Sequence, residues 1–217
     1  MGTNAAPNIA NLFLYIYERE FIESLVDIQE PEINNHLLEI SKSFHNTFRY
    51  IDDSLSVDNP YWEFFTLTPL SKSGTYPDQL SINNTTTNSM NANFLGMNVR
   101  LSMSGNLITK VFDKRREFNF HVNRFPSLLS TAPANTAGTF TGMLHYVYNL
   151  TTLTEDFLKV VITNAHTFKN DKYLSVKVMK KLFSNFIWNK INSHTFKYSD
   201  NPHRLIIRFN KKLLMYI

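Results

Sequence analysis

The chain has 217 residues, enough for one substantial core or two small domains, and its 43% hydrophobic and 18% charged content excludes bulk disorder. It has no cysteine, which excludes disulfides, zinc–thiolate sites, iron–sulfur clusters and a cysteine nucleophile. The net charge of +4 is unevenly distributed, since residues 1–80 contain 4 basic against 12 acidic residues and residues 81–217 contain 18 against 6. An acidic N-terminal part and a basic C-terminal part favour a partner that combines metal ions with phosphates.

Apolar residues at helical spacing predict two helices at the start of the chain. The first runs from Pro7, a residue type favoured in the first turn of a helix, to about Leu25. The second follows Pro31. The other predicted elements are a polar loop at 83–93, two strands at 94–101 and 107–112, a linker at 127–138, and helices at 139–150, 154–166 and 171–191. Together they predict an α+β fold with domains at 1–126 and 127–217.

A β-hairpin with two adjacent carboxylates is predicted between these helices and strands. Two short β-type runs, 48–51 and 54–57, flank Asp52 and Asp53. Paired carboxylates repel each other unless a cation lies between them, and Mg²⁺ takes one or two carboxylates together with substrate phosphates. The alternative is a solvated turn, because Asp is a common turn residue. The aromatic residues of the first run are in turn either core residues of the hairpin or part of a site.

The run from Phe48 to Asp53 resembles the aromatic-x-Asp-Asp motif of reverse transcriptases, which is motif C of that family. Residues 1–13, in which Gly, Pro, Ala-Asn and an apolar helix follow one another, resemble motif B. The tripeptide Phe94-Leu95-Gly96 resembles the motif E primer grip, and residues 110–115 are similar to the region after motif E in Penelope-like and related non-LTR retroelement polymerases. The three motifs follow in the family's order, and the resemblance covers about residues 1–126.

The resemblance implies two-metal phosphoryl transfer that extends a DNA primer on an RNA template with deoxynucleoside triphosphates. It implies Mg²⁺ (or Mn²⁺) as cofactor, with Asp52 as a direct metal ligand and Asp53 as its support; the two are the catalytic residues. The residues implied to bind substrate are Gly2, Asn4 and Pro7, which would border the incoming nucleotide, and Tyr50, which would lie near the primer end. Phe94, Leu95 and Gly96 would hold the primer terminus.

The basic part of the chain predicts contacts with nucleic acid. Aromatic residues interleave with Lys110, Lys114 and Arg115, a combination that suits backbone contacts with packing. In the helices, which fit a thumb-like region, Lys177, Lys180 and Lys181 share one face. Each set is alternatively a solvated surface of a lysine-rich chain.

The resemblance also shows a departure, because the family needs a further Asp on motif A, which lies upstream of motif B. The chain is therefore expected to be a palm and thumb segment, catalytic only when a longer chain or another copy supplies the missing N-terminal half. The alternative is a non-catalytic nucleic-acid-binding remnant of a retroelement. The apolar stretch at 9–17 is too short to span a bilayer and has acidic residues after it, so we expect an intracellular protein without a membrane partner.

Overall fold

A computed structural model describes residues 5–26, 31–86, 90–114, 118 and 135–215 of the chain. The fold is α+β, and the chain divides into two compact units, Met1–Thr87 (unit 1) and Asn88–Ile217 (unit 2). This division coincides with the change of charge, since residues 81–87 carry none: unit 1 has 4 basic against 12 acidic residues, and unit 2 has 18 against 6. The predicted boundary between residues 126 and 127 lies outside the described residues.

Unit 1 contains the two predicted helices, which are confirmed, and the predicted hairpin. Pro7 lies in the first turn of the first helix, where its missing N–H costs no hydrogen bond. The elements are α1 (Ala6–Val26), α2 (Pro31–Ser43), β1 (Thr47–Tyr50), β2 (Asp53–Ser56) and α3 (Trp62–Leu67), with short 3₁₀ turns at Phe44–Asn46 and Leu70–Lys72.

The core of unit 1 is small and lies at the C-terminal half of α1. Phe21 of α1 is buried, and its ring packs on those of Phe44 and Phe65, with centroid distances of 5.4 and 5.0 Å. The N-terminal half of α1 has an apolar stripe at helical spacing that stays between 45% and 63% exposed. We call this set the α1 stripe; its members are Ile9, Leu12, Phe13 and Ile16.

Unit 2 begins with a three-stranded antiparallel sheet of β3 (Asn91–Phe94), β4 (Met97–Leu101) and β5 (Leu107–Val111). The prediction of one strand over 94–101 is wrong, because Leu95 and Gly96 form a two-residue turn with φ of 48° and 77°. Two positive φ values in succession are typical of a type I′ hairpin. Residues 91–93, predicted as loop, form β3.

In the described part of the chain after the sheet, four helices enclose the larger core, which contains fully buried Phe140, Phe157, Phe183 and Phe209. They are α4 (Thr136–Leu150), α5 (Thr154–Asn170), α6 (Val176–Asn192) and α7 (Pro202–Lys212). Helix α4 begins inside the predicted linker, and α6 begins five residues later than predicted. Within the described ranges, no helix is both long enough and apolar enough to cross a bilayer.

Candidate active site

Asp52 and Asp53 lie at the tip of the hairpin formed by β1 and β2, and both are exposed. The strands pair in antiparallel register from Thr47 opposite Ser56 to Tyr50 opposite Asp53. The hairpin predicted from the alternation of residues is therefore confirmed. Its turn consists of Ile51 and Asp52, one residue earlier than predicted, so that Asp53 is the first residue of β2.

The two faces of β1 differ in exposure. Thr47 and Arg49 are half-buried, whereas Phe48 and Tyr50 are each 54% exposed. The aromatic residues of β1 are therefore not core residues, which excludes one of the two alternatives left by the sequence. Since directly opposed residues point to the same side of a sheet, Tyr50 and Asp53 share the exposed face.

The inward side chain of β1, Arg49, joins the hairpin to α1. Its guanidinium pairs with both carboxylate oxygens of Glu18, with Nε–Oε1 at 2.6 Å and an Nη2–Oε2 distance of 3.2 Å. It also donates to the side-chain and backbone oxygens of Asn11, at 2.8 and 3.1 Å. The Arg49 side chain is only 13% exposed and that of Glu18 is 30% exposed, so water competes weakly for these hydrogen bonds.

The turn itself is held in an unusual backbone conformation. Ile51 has φ of 54°, a region that costs a β-branched residue roughly 1–2 kcal/mol. Its N–H donates to Oδ1 of Asn11 at 3.1 Å, and its carbonyl accepts from Nη1 of Arg49 at 3.3 Å. Both backbone groups of the strained residue are thus bonded to the same network, and Asp52 is the next residue in the chain.

Tyr76 joins this network at Glu18, on the same oxygen that accepts from Nε of Arg49. Its hydroxyl donates to Oε1 of Glu18 at 2.7 Å. Burial, and then the hydrogen bond to Glu18, raise the pKa of Tyr76 well above its ordinary value, so the hydroxyl remains a donor. The network borders a cavity of about 270 Å³, whose lining includes Glu18, Arg49, Tyr76, Phe21, Phe44 and Trp62.

The hairpin offers two exposed carboxylates, the donor type and number that Mg²⁺ takes alongside waters and phosphates. In the part of the chain that the structure describes, no group of three His, Asp or Glu side chains is placed to hold a metal ion. The residues present therefore fit one part of a divalent-ion site, to which substrate phosphates or further carboxylates would add ligands.

Among the described residues, the others predicted to contact substrate or primer lie at two places. Pro7 is exposed in the first turn of α1, and Phe94, Leu95 and Gly96 form the tip of the β3–β4 hairpin. A Cβ on Gly96 would lie 2.9 Å from the Tyr146 hydroxyl, and its φ of 77° also favours glycine. Two predicted residues, Gly2 and Asn4, lie outside the described residues.

The predicted basic residues belong to unit 2. Lys110 and Lys114 are exposed, while Arg115 lies outside the described residues. On α6, Lys177 and Lys181 are exposed and Lys180 is half-buried, away from the buried stripe of Met179, Phe183 and Phe186. The three lysines thus lie off the buried stripe of this helix, and their contact with nucleic acid stays a prediction.

Sequence reasoning missed Asn11, Glu18 and Tyr76, which fix the position of the hairpin. Asn11 had a signal, because it belongs to the Ala-Asn pair of the motif B-like opening. Glu18 is 31 residues before Arg49, and Tyr76 is 58 residues after Glu18, so no local pattern connects them.

Comparison of the chain with protein-family models, with curated proteins and with solved structures gives no match.

Proposed function

We propose that the chain is a segment of a reverse transcriptase, an RNA-directed DNA polymerase, whose catalytic carboxylates are Asp52 and Asp53. One observation carries the proposal: an Asp-Asp pair follows an exposed tyrosine at the tip of a hairpin that a half-buried arginine fastens to a helix. In this proposal, unit 1 supplies part of a polymerase palm. The β3–β4 hairpin is its primer grip, and the helices of unit 2 form a thumb-like region.

Each residue of the hairpin has a distinct role in this proposal. Asp52 and Asp53 would hold Mg²⁺ or Mn²⁺, which supplies electrostatic stabilisation of the charge that develops on the transferred phosphoryl group. Arg49 and Asn11 position the turn, because a catalytic group must be held to within a fraction of an ångström. Tyr50, on the same exposed face as Asp53, would contact the end of the DNA primer.

The α1 stripe supports the proposal that another part of a polymerase packs on unit 1. Its four apolar side chains follow the i, i+3, i+4, i+7 spacing of one helix face and are 45–63% exposed. Exposed contiguous apolar surface is typical of an interaction site. The missing N-terminal half, in the same longer chain or in another copy, would cover the stripe and bring the further Asp of motif A. The RNA template, the primer and deoxynucleoside triphosphates would then bind to the assembled enzyme.

The charge of unit 2 favours a second function, that of a non-catalytic nucleic-acid-binding remnant of a retroelement. Unit 2 has 18 basic against 6 acidic residues, which suits binding to a phosphate backbone without any chemistry. An upstream continuation of the reading frame that encodes an Asp-bearing strand favours the polymerase. A frame without such a strand favours the remnant.

Primer extension tests the proposed function. We expect the 217-residue chain alone to extend no primer on poly(rA)–oligo(dT) with Mg²⁺ or Mn²⁺, since two divalent ions need more ligands than one hairpin gives. The polypeptide lengthened by the upstream reading frame should extend it, and Asp52→Asn should abolish the activity. Asp58→Asn, the same change of charge at an exposed carboxylate after β2, should leave it intact. Activity that survives Asp52→Asn would refute the assignment.

A further inference from the structure

Two lysines of unit 2 lie over one buried tyrosine. The Nζ atom of Lys190, near the end of α6, is 4.8 Å from the ring centroid of Tyr148 on α4. The Nζ atom of Lys197, in the segment after α6, is 4.9 Å from the same centroid. Tyr148 is 3% exposed, and the flanking rings of Phe186 and Tyr198 also lie within 5.7 Å of these ammonium groups. Two cations thus meet at one aromatic surface.

The pattern of α6 explains why Lys190 differs from the other lysines of this helix. Met179, Phe183 and Phe186 form the buried stripe, and Lys190 is four residues after Phe186, so it continues that stripe. Its aliphatic stem follows the core face while its ammonium group reaches the edge of the core. Lys177 and Lys181 lie on the solvent face instead.

A third titratable group lies beside the two lysines. His145 on α4 packs edge-on against Phe186, at a centroid distance of 4.9 Å, and the Lys190 ammonium lies 5.7 Å from that same ring. Burial, and then the charge of Lys190, lower the pKa of both His145 and Lys197. Lys190 therefore acts as a neighbouring positive charge on both His145 and Lys197.

Among the residues that the structure describes, no carboxylate forms an ion pair with this cluster. The described ion pairs of unit 2 join Arg208 to Glu155 and to Asp200, and none reaches Lys190, Lys197 or His145. Like charges held together destabilise a fold unless an anion separates them. Within the described residues, the cluster therefore has the charge of an anion site and no ion-pair partner.

The segment that carries Lys197 is fixed to α4. The Tyr148 hydroxyl donates to the carbonyl of Thr195 and accepts from the N–H of Lys197, both at 2.7 Å. The Tyr198 hydroxyl is 2.7 Å from Oγ1 of Thr151, at the end of α4. These hydrogen bonds hold the backbone on both sides of Lys197, so an anion at the cluster meets groups whose backbone is already ordered.

We propose that Lys190, Lys197 and His145 form a binding site for the backbone phosphates of a nucleic-acid strand. Phosphate oxygens accept hydrogen bonds from all three side chains, and a polyanion suits the excess of basic residues in unit 2. Because the Tyr148 ring is buried, the contact is with phosphate and not with a stacked base. The inference deepens the nucleic-acid-binding part of the proposed function and is independent of Asp52.

The salt dependence of RNA binding by the full chain tests this site. The probe is a fluorescein-labelled oligouridylate measured by anisotropy across a salt series. Each phosphate contact to a single strand adds about 0.7 to the salt slope, so Lys190→Gln with Lys197→Gln should reduce the slope by about 1.4. Lys190→Arg with Lys197→Arg should restore it. Lys159→Gln with Lys212→Gln, a matched loss of two exposed charges, should change it much less.

The pKa of His145 gives a second readout, which a change in folding stability alone would not alter. Bound RNA should raise the pKa of His145, measured from its ring C–H signals, in the wild type and not in the double Gln variant. A slope equal to wild type in the double Gln variant, or a His145 pKa that RNA leaves unchanged, would overturn the site. A rise with inorganic phosphate alone and none with RNA would overturn its assignment to nucleic acid. Neither result alters Asp52-dependent primer extension, which tests the polymerase separately.

Discussion

The backbone N–H of Ile51 donates to the side-chain oxygen of Asn11 across 3.1 Å, which fastens the turn of the hairpin to α1. The same oxygen accepts from Nη1 of Arg49 at 2.8 Å. Glu18, two turns further along α1, forms an ion pair with the Arg49 guanidinium. The conformation of the turn is thereby set by a helix and not by the turn residues alone, which explains how Ile51 keeps a positive φ.

Replacing Asn11 with Ala should loosen the turn. The change leaves the Ile51 N–H and one Arg49 donor without their acceptor, at a cost of about 1–3 kcal/mol in the free energy of unfolding of unit 1. Hydrogen exchange of the Ile51 amide, followed by NMR, should accelerate by about tenfold or more. Asn8→Ala, one turn earlier on α1 and exposed, is the control. Equal exchange rates in the two variants would contradict this account of the turn.

Tyr76 predicts a loss of stability at alkaline pH. Its pKa is raised in the folded state by burial and by Glu18, so above pH 10 or so the unfolded chain loses this proton first. The free energy of unfolding should therefore be unaffected by this group below its ordinary pKa and should fall as pH rises above it. Tyr76→Phe should remove that part of the pH dependence.

Urea unfolding followed by tryptophan fluorescence measures this effect unit by unit. The chain has two tryptophans, Trp62 in unit 1 and Trp188 in unit 2, so Trp188→Phe leaves a reporter of unit 1. Tyr198, whose pKa is also raised by burial, belongs to unit 2 and serves as the control through Tyr198→Phe. The prediction is wrong if the Trp62 signal shows the same alkaline loss in Tyr76→Phe as in the parent.

The sequence predicted those features that depend on residues close together along the chain. The alternation around Asp52 predicted the hairpin to within one residue, and helical spacing predicted α1 and α2. The turn at Leu95 was missed because leucine at positive φ gives no local signal. Helix α7 is not among the predicted elements, although Asn201 before Pro202 is a typical start: its side chain accepts from the N–H groups of His203 and Arg204.

The candidate site was predictable only in part, for the same reason. Asp52, Asp53 and Tyr50 are adjacent in sequence and form a motif, whereas the partners of Arg49 lie 31 and 38 residues before it. Lys190 had a sequence signal, because it continues the stripe of Phe183 and Phe186, but the ring of Tyr148 beneath it comes from another helix. Long-range contacts of this kind follow from the fold and not from local spacing.

Lys177, Lys180 and Lys181 should contribute to binding an RNA–DNA duplex as a second surface. If about four to six phosphates are contacted, the salt slope should be roughly −4 to −5, at about −0.9 per contact. Replacing the three lysines by Ala should reduce the slope by about one to three. Fluorescence anisotropy across a salt series measures it, with the triple Ala variant of Lys159, Lys211 and Lys212 as the control. A slope near zero, or one that the substitution leaves unchanged, would contradict the thumb-like role of α6.

Paramagnetic relaxation by Mn²⁺ tests most directly the claim that the hairpin binds a divalent ion. In the full chain with a nucleoside triphosphate present, Mn²⁺ should broaden the amide signals from Ile51 to Ser54 first. Asp52→Asn with Asp53→Asn should abolish that broadening, and Asp58→Asn should leave it unchanged. Broadening that persists in the double variant, or that begins elsewhere in the chain and spares the hairpin, would contradict the assignment of Asp52 and Asp53 as catalytic metal ligands.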